Sequence, residues 1–111
     1  MSDEPLFDDR SADEPTDPAD YDRLRLLEQT HNFPCPYLFK VIGLPENNFV
    51  GRVLAAVRRE LAEDAEPPFS SRKSAKGRHV SVSIEPTVAE GQQIIRIYRN
   101  LQAVEGVEML F

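Results

Sequence analysis

The sequence predicts an α+β domain: a two-layer βαββαβ sandwich with a four-stranded antiparallel sheet, two helices on one face and a disordered N-terminal tail. Three observations carry this prediction. Residues 80–84 alternate apolar and polar side chains, which is the period-2 pattern of a half-buried strand. Segments with helical periodicity lie before and after that strand. The first 22 residues are strongly acidic and contain few large apolar side chains.

The acidic tail accounts for the charge of the chain. Residues 1–22 contain nine acidic residues and one basic residue, whereas residues 23–111 contain twelve basic and ten acidic residues. Because residues 1–20 cannot bury enough apolar surface to offset their ordering entropy, we predict that they are disordered. The tail is then a solubilising extension, or an arm that competes for a basic patch on the body. We expect its deletion to leave the melting temperature nearly unchanged.

A short helix and linker are predicted over residues 21–32. Asp20 is a candidate N-cap, and Leu24 and Leu27 form the apolar stripe of a helix over residues 21–30. Three helical turns are marginally stable alone, so we expect this helix to dock on the body or to fray. The prolines that follow, Pro34 and Pro36, favour an extended backbone.

The βαββαβ domain is predicted over residues 33–111, beginning with a strand over residues 37–43. Lys40 indicates that the face it shares with Leu38 and Ile42 is the open one. Asn47 or Asn48 is expected to cap the next helix, whose helix-forming residues continue through Ala62. Its apolar stripe comprises Phe49, Val50, Val53, Leu54, Val57 and Leu61, and its outer side carries Arg52, Arg58, Arg59 and Glu60.

A hairpin and a second helix follow. The polar residues 69–73 suit an edge strand, and Gly77 provides a turn into the strand over residues 79–85. Residues 87–90, Thr-Val-Ala-Glu, match a capping box for the second helix. The apolar stripe of that helix comprises Ile94, Ile95, Tyr98 and Leu101. Residues 107–111 form the last strand.

This order of elements indicates a ferredoxin-like fold with the first and third strands in the centre of the sheet. The side chains expected to face the helices are Phe39, Val41, Val80, Val82, Ile84, Val107 and Met109. Those expected on the open face are Leu38, Lys40, Ile42, His79, Ser81, Ser83, Glu108 and Leu110.

Four motifs of the domain resemble the YbeD-like family of small bacterial proteins. They are Phe33-Pro34-x-Pro36-Tyr37-x-Phe39-Lys40-Val41-Ile42-Gly43, Ser74-x-Lys76-Gly77-x-His79-x-Ser81-Val82-Ser83, Ile97-Tyr98-x-x-Leu101 and Val107-x-Met109-Leu110. The resemblance covers about residues 24–111. It implies the same βαββαβ fold and a likeness to ACT regulatory domains, which bind amino acids in metabolic enzymes. It implies no established activity.

The sequence contains no recognisable catalytic or metal-binding constellation. Cys35 is the single cysteine, and His31 and His79 do not show the spacing of metal ligands. We therefore expect no catalytic residue, no metal and no cofactor. An acidic N-terminus without an apolar segment predicts no signal peptide, and no apolar run reaches the ~18 residues of a membrane span. A cytoplasmic protein that does not engage a membrane is the resulting prediction.

The leading hypothesis is a non-catalytic regulatory or protein-interaction module, ACT-like in fold, that binds a partner protein or a second copy. Its candidate interaction residues on the open sheet face are Leu38, Lys40, Ile42, His79, Ser81, Ser83 and Leu110. An alternative is a domain that senses an amino acid or carboxylate near Lys40, Lys76 and His79. A further alternative is weak nucleic-acid binding through a basic patch comprising Arg72, Lys73, Lys76 and Arg78. Nucleic-acid binding is the less favoured alternative, because the open-face positions of the two central strands lack aromatic side chains for base stacking.

Overall fold

The computed structural model describes residues 18–111, and the predictions for residues 1–17 lie outside this range. Within it, three helices are present: α1 (Pro18–Thr30), α2 (Phe49–Arg58) and α3 (Gly91–Gln102). The same range contains six strands. They are β1 (Cys35–Pro36), β2 (Phe39–Gly43), β3 (Phe69–Lys73), β4 (Val80–Ile84), β5 (Thr87–Val88) and β6 (Val107–Leu110).

Four strands form an antiparallel sheet in the order β3-β4-β2-β6. The two central strands, β2 and β4, are the first and third of the predicted four. Together with α2 and α3, these strands form the βαββαβ unit, so the predicted α+β sandwich is confirmed. Gly77 has a φ of 70°, and this left-handed conformation lets it turn the chain between β3 and β4.

One face of the sheet and the apolar stripes of the helices enclose the core. Phe39, Val41, Val82 and Ile84 from the central strands are fully buried, as the alternation of their sequences predicted. From the helices, the fully buried side chains are Val53, Ala56, Val57, Ile94, Ile97 and Leu101. Ile97 was missing from the predicted stripe, whereas Tyr98, which was included, is half-buried at its border.

Helix α1 begins earlier than predicted, at Pro18. Asp20 therefore lies in the first turn rather than at the N-cap, and its carboxylate accepts a hydrogen bond of 3.0 Å from the guanidinium of Arg99 on α3. Leu27 packs into the core, so the helix docks on the body. Because a deletion of residues 1–20 would also remove this ion pair, a truncation that tests the tail alone must stop at residue 17.

The predicted capping box at residues 87–90 is wrong. Thr87 and Val88 instead form β5, which pairs with β1. Glu90 is the N-cap of α3 in an extended conformation, and no side chain forms a capping hydrogen bond there. The backbone N–H of Ala89 donates to Oε1 of Gln93, the third residue of the helix, over 2.6 Å. The amide of Gln93 thus bonds the residue before the N-cap, and the N-cap itself has no side-chain bond.

Glu60 was placed on the outer side of a longer helix, but α2 ends at Arg58 and Glu60 lies in the following turn. Its carboxylate accepts hydrogen bonds from Nε of Arg96, at 2.9 Å, and from Nδ2 of Asn100, at 3.2 Å. The carbonyl oxygen of Glu60 accepts a third bond from Nε2 of Gln93. Glu60 therefore joins the end of α2 to α3, and the helix ends well before the prolines at 67 and 68.

Two asparagines in the left-handed conformation, Asn47 and Asn48, lead into α2. Asn48 occupies the N-cap position, one of the two predicted, but its side chain makes no capping hydrogen bond. Arg52 holds this segment instead, since its guanidinium donates to the carbonyl oxygens of Glu46, Asn47 and Glu105 over 3.1, 2.8 and 2.7 Å. These bonds link the loop before α2 to the loop before β6.

A bulge in β6 reverses the predicted faces of its last residues. Gly43 pairs with Val107, but the preceding residue of β2, Ile42, pairs with Met109, so Glu108 is the extra residue. Side chains beyond a single inserted residue point to the opposite face. Leu110 consequently packs against the core, while Met109 is exposed, so the prediction for these two residues was wrong.

Candidate functional site

The candidate site is the face of the sheet opposite α2 and α3, which no described element covers. We call it the open face. The register aligns its side chains in rows across the strands. One row consists of three neighbours, Ser70, Ser83 and Lys40. Two backbone hydrogen bonds between Lys40 and Phe111 add Phe111 to the end of this row. Arg72, Ser81, Ile42 and Met109 form the adjacent row in strand order.

These rows divide the open face by chemistry. The side over β2 and β6 is apolar, and we call it the apolar half; it comprises Leu38, Ile42, Met109 and Phe111. The side over β3 and β4, with Lys40 at the boundary, carries hydroxyl and cationic groups. We call it the serine–cation half; it comprises Lys40, Ser70, Arg72, Ser81 and Ser83. The face therefore presents two different surfaces to a ligand or partner.

Most of the residues predicted for the interaction surface are placed together here. Lys40, Ile42, Ser81 and Ser83 lie on the open face. Leu38 precedes β2 and is exposed, and the alternation of the strand continued by one residue puts it on the same face. Leu110 does not lie there, because the bulge turns it towards the core. Met109 and Phe111 were not predicted for this face, and no local pattern in the sequence distinguishes a bulged strand from a regular one.

His79 is close to the end of the face, next to Glu108. Nε2 of His79 lies 3.1 Å from a carboxylate oxygen of Glu108, and both side chains are partly exposed. Along β4, His79 is four residues from Ser83, the partner of Lys40, which corresponds to about 13 Å of strand. Lys76 lies in the turn of the hairpin. The three residues proposed for a carboxylate ligand thus do not form one cluster.

The basic patch is also divided. Arg72 pairs with Ser81 and belongs to the open face, whereas its neighbour Lys73 pairs with Val80 on the side of the helices. Lys76 and Arg78 lie in the exposed turn beyond the strands. Adjacent residues of a strand point to opposite faces. These four cations therefore do not form the continuous basic surface that would contact the phosphates of a nucleic acid.

The remaining reactive residues are in other environments. Cys35 lies half-buried in β1. The ring of His31 lies 5.9 Å from that of Phe33 and 5.5 Å from that of Tyr37, between centroids, so it takes part in aromatic packing. Within residues 18–111, no group of three or more histidine, cysteine, aspartate or glutamate residues is arranged to hold a metal ion. None of the three helices between residues 18 and 111 has the length and apolar character of a membrane span.

An aromatic cluster not predicted from sequence joins β2 to α3. The ring of Tyr98 lies 5.0 Å from that of Phe39 and 6.4 Å from that of Tyr37, between centroids. The guanidinium of Arg23 on α1 lies 5.3 Å from the Tyr98 ring centroid, at cation–π distance. The tyrosine hydroxyls are 3.5 Å apart. The helical spacing of Tyr98 indicated a core position, but its partners are distant in sequence, so no local pattern could predict these contacts.

The protonation of Tyr98 gives a test of this cluster. Burial raises the pKa of Tyr98 well above its usual value near 10, the hydrogen bond to Tyr37 raises it further, and the charge of Arg23 opposes both effects. Because folding favours the neutral phenol, the resulting stability is complete below about pH 10 and is lost as the pH rises above the pKa of the unfolded chain. We expect the free energy of unfolding to fall less between pH 9 and 11 in Tyr98→Phe than in the parent chain. The free energy of unfolding is measured by chemical denaturation at each pH. If it fell equally in both proteins, the raised pKa of Tyr98 would be contradicted.

The fold defines the class of protein. Two solved structures are similar to this chain: the ACT domain of a GTP pyrophosphokinase from Chlorobium tepidum and protein HP0495 from H. pylori. The first aligns with a TM-score of 0.52 and 12% identity, over 69% of this chain and 95% of that domain. The second aligns with a TM-score of 0.53 and 15% identity, over 74% of this chain and 86% of that protein. The chain is therefore an α+β domain with an ACT-like, ferredoxin-like fold.

Sequence comparison then identifies the family. The model described as "Protein of unknown function (DUF493)" matches residues 28–111. A UPF0250 protein of Shewanella amazonensis is 37% identical over 82 residues, which are 74% of this chain and 91% of the relative. The corresponding protein of Shewanella woodyi is 35% identical over the same shares. The chain belongs to this DUF493 family, also called UPF0250 and YbeD-like, and the resemblance deduced from its motifs is confirmed.

Proposed function

We propose that this domain is a non-catalytic regulatory module that binds a partner protein through the apolar half of its open face. The observation that carries the proposal is the exposure of its apolar side chains: 54% for Leu38, 51% for Met109 and 54% for Phe111. Ile42 and Met109 are neighbours in one row of the open face. Phe111 lies beside Lys40 in the adjacent row, and Leu38 precedes Lys40 by two residues. A cluster of large exposed apolar residues on one surface is typical of a protein-binding site.

The charges beside the apolar half indicate the chemistry of the partner. Lys40 borders it, and Arg72 lies two strands away in the row of Ile42. The carboxylate of Glu108 is already paired with His79. We therefore assign a foreign protein with an apolar contact surface and carboxylates at its rim, because charge complementarity favours such a partner over a second copy of the same cationic face.

The test uses two double variants that introduce equal charge. Leu38→Glu with Met109→Glu alters the open face, whereas Tyr21→Glu with Leu26→Glu alters side chains on α1 that are 49% and 60% exposed. Proteins captured from a lysate by the parent domain are identified by mass spectrometry, and the binding of each purified candidate is measured by calorimetry. We expect the face variant to lose the partner and the α1 variant to retain it.

Two results would contradict the proposal. If the parent domain remains a strict monomer by light scattering and no purified candidate depends on Leu38 and Met109, the open face is not a binding surface. If light scattering instead shows a dimer that dissociates in the face variant, a second copy covers the face, and the assignment of a foreign partner is wrong. Circular dichroism confirms that both variants are folded.

A further inference from the structure

The serine–cation half of the open face forms a shallow groove of about 440 Å³. It is lined by the side chains of both central strands and the edge strand; those used below are Lys40, Ser70, Arg72, Ser81 and Ser83. Among the described residues that line the groove, none is a carboxylate. A surface with three cations, Lys40, Arg72 and Lys73, several hydroxyl donors and no acidic residue favours an anion.

The register places these groups around a common centre. Ser83 lies between Ser70 and Lys40 in one row, and Ser81 lies beside Arg72 in the next. The two serines of β4 are therefore central, with Lys40 and Arg72 at opposite corners. Strand spacings of about 4.8 Å and a rise of about 3.4 Å per residue put the Cα atoms of Lys40 and Arg72 about 12 Å apart. Both long side chains can reach an ion held above Ser81 and Ser83.

None of these side chains is engaged elsewhere within the described part of the chain. Neither Lys40 nor Arg72 forms an ion pair with any residue from 18 to 111, although five other arginine or histidine contacts to carboxylates are present there. The hydroxyl groups of Ser70, Ser81 and Ser83 have no side-chain or carbonyl partner in the same range. Their donors are available to a ligand without the loss of an existing bond.

We propose that this groove binds the phosphate group of a small phosphorylated molecule. The planar guanidinium of Arg72 can donate two parallel hydrogen bonds to phosphate oxygens, and Lys40 supplies a second positive charge. The hydroxyls of Ser81, Ser83 and Ser70 can donate to the remaining oxygens. Together, two charges and three hydroxyls match a tetrahedral dianion better than a carboxylate, which has two oxygens. The residues that would contact the phosphate lie outside the apolar half, so phosphate binding itself does not depend on the proposed function.

The boundary of the groove suggests where the rest of the ligand lies. Ile42 follows Ser81 in one row, and Phe111 follows Lys40 in the other. An organic group attached to the phosphate can therefore extend over apolar side chains while the phosphate remains above the serines. We assign a phosphate ester of modest size, because the cations of the hairpin turn, Lys76 and Arg78, are not part of the groove.

The experiment is an NMR titration of the full chain with inorganic phosphate and then pyrophosphate, at constant ionic strength, with sodium acetate and chloride as references. We expect saturable amide shifts centred on Ser81, Ser83 and Lys40 with phosphate and pyrophosphate, and smaller shifts with acetate. Lys40→Met and Arg72→Gln should each weaken pyrophosphate binding about tenfold, the usual scale for a lost charged hydrogen bond. Arg72→Lys, which keeps the charge but loses the planar fork, should also weaken it.

Matched controls separate a built site from general attraction. Lys76→Met and Arg78→Gln remove the same charges outside the groove, and they should leave the affinity within about twofold, since exposed charges a Debye length of ~8 Å away are screened. The proposal would be overturned if the groove variants and the control variants lost equal affinity for pyrophosphate. It would also be overturned if the amide shifts grew linearly with anion concentration and did not saturate. Tighter binding of a single-stranded oligonucleotide that depends on Lys76 and Arg78 would overturn it in favour of nucleic acid. Dispersed amide spectra show that each variant is folded.

Discussion

Phe39→Ala is expected to lower the free energy of unfolding by about 3–5 kcal/mol, the usual cost of removing a buried phenyl ring. Phe39 is fully buried at the start of β2, and its ring centroid lies 5.0 Å from those of Tyr37 and Tyr98. Its removal would leave a cavity where the central strand, α3 and the aromatic cluster meet. A domain of this size has about 5–15 kcal/mol of stability in total, so a large share would be lost.

Phe69→Ala provides the control for this measurement. Phe69 and Phe39 both pair with Ile84, from opposite sides of β4, but Phe69 lies on the edge strand and is 52% exposed. The same change of side chain should cost less than about 1 kcal/mol there, because little apolar surface is lost from the core. The measurement is urea denaturation of both variants. Similar losses at the two positions would show that the core is not centred on β2.

Gly43→Ala is expected to destabilise the domain by about 3 kcal/mol, at the upper end of the range for overpacking. A Cβ atom on Gly43 would overlap the backbone carbonyl oxygen of Gly106 and the ring of Phe49. That carbonyl accepts the N–H of Leu44 at 3.0 Å, and Arg52 holds the adjoining carbonyl of Glu105. Neither neighbour of the new methyl group can therefore move without breaking hydrogen bonds or displacing a buried ring.

Gly51→Ala is the matched variant, because a Cβ atom there would meet the side chain of Asn48 and no fixed backbone. That amide makes no capping hydrogen bond and can rotate away. Alanine is favoured over glycine inside a helix by about 1 kcal/mol, so we expect Gly51→Ala to be neutral or stabilising. Thermal unfolding of both variants checks the contrast. A tolerated Gly43→Ala would mean that β6 and α2 pack less closely than the structure indicates.

Much of the fold could be predicted because its strongest patterns are local. The alternation through Val80, Val82 and Ile84 and the stripe through Val53 and Val57 reflect the periods of a strand and a helix, which a single segment reveals. The errors occurred where distant partners decide the structure. The segment at 87–90 has the sequence of a capping box, but pairing with Cys35 and Pro36 makes it a strand. Glu60 was expected on the outer side of its helix because it is charged, but its carboxylate accepts hydrogen bonds from Arg96 and Asn100 on α3.

The open face was also predicted only where a local pattern determines it. Alternation assigned Lys40, Ser81 and Ser83 to it, since each lies on a strand without irregularities. Which serine faces which cation depends on the register between strands, and only the paired structure reveals the row of Arg72 and Ser81. The exchange of Leu110 for Met109 depends on the bulge, which has no signature in the sequence of β6.

The extra residue at Glu108 changes which face each following residue of β6 points to. Upstream of it, Val107 is in phase with Gly43; downstream, Met109 and Leu110 follow the opposite phase. A deletion of Glu108 would remove the bulge and leave Met109 paired with Ile42 on the open face and Leu110 paired with Val41 towards the core, each one position nearer to Val107. In homologous chains, the length of this segment therefore determines which residue faces outward, and an alignment that treats β6 as a uniform strand would compare buried positions with exposed ones.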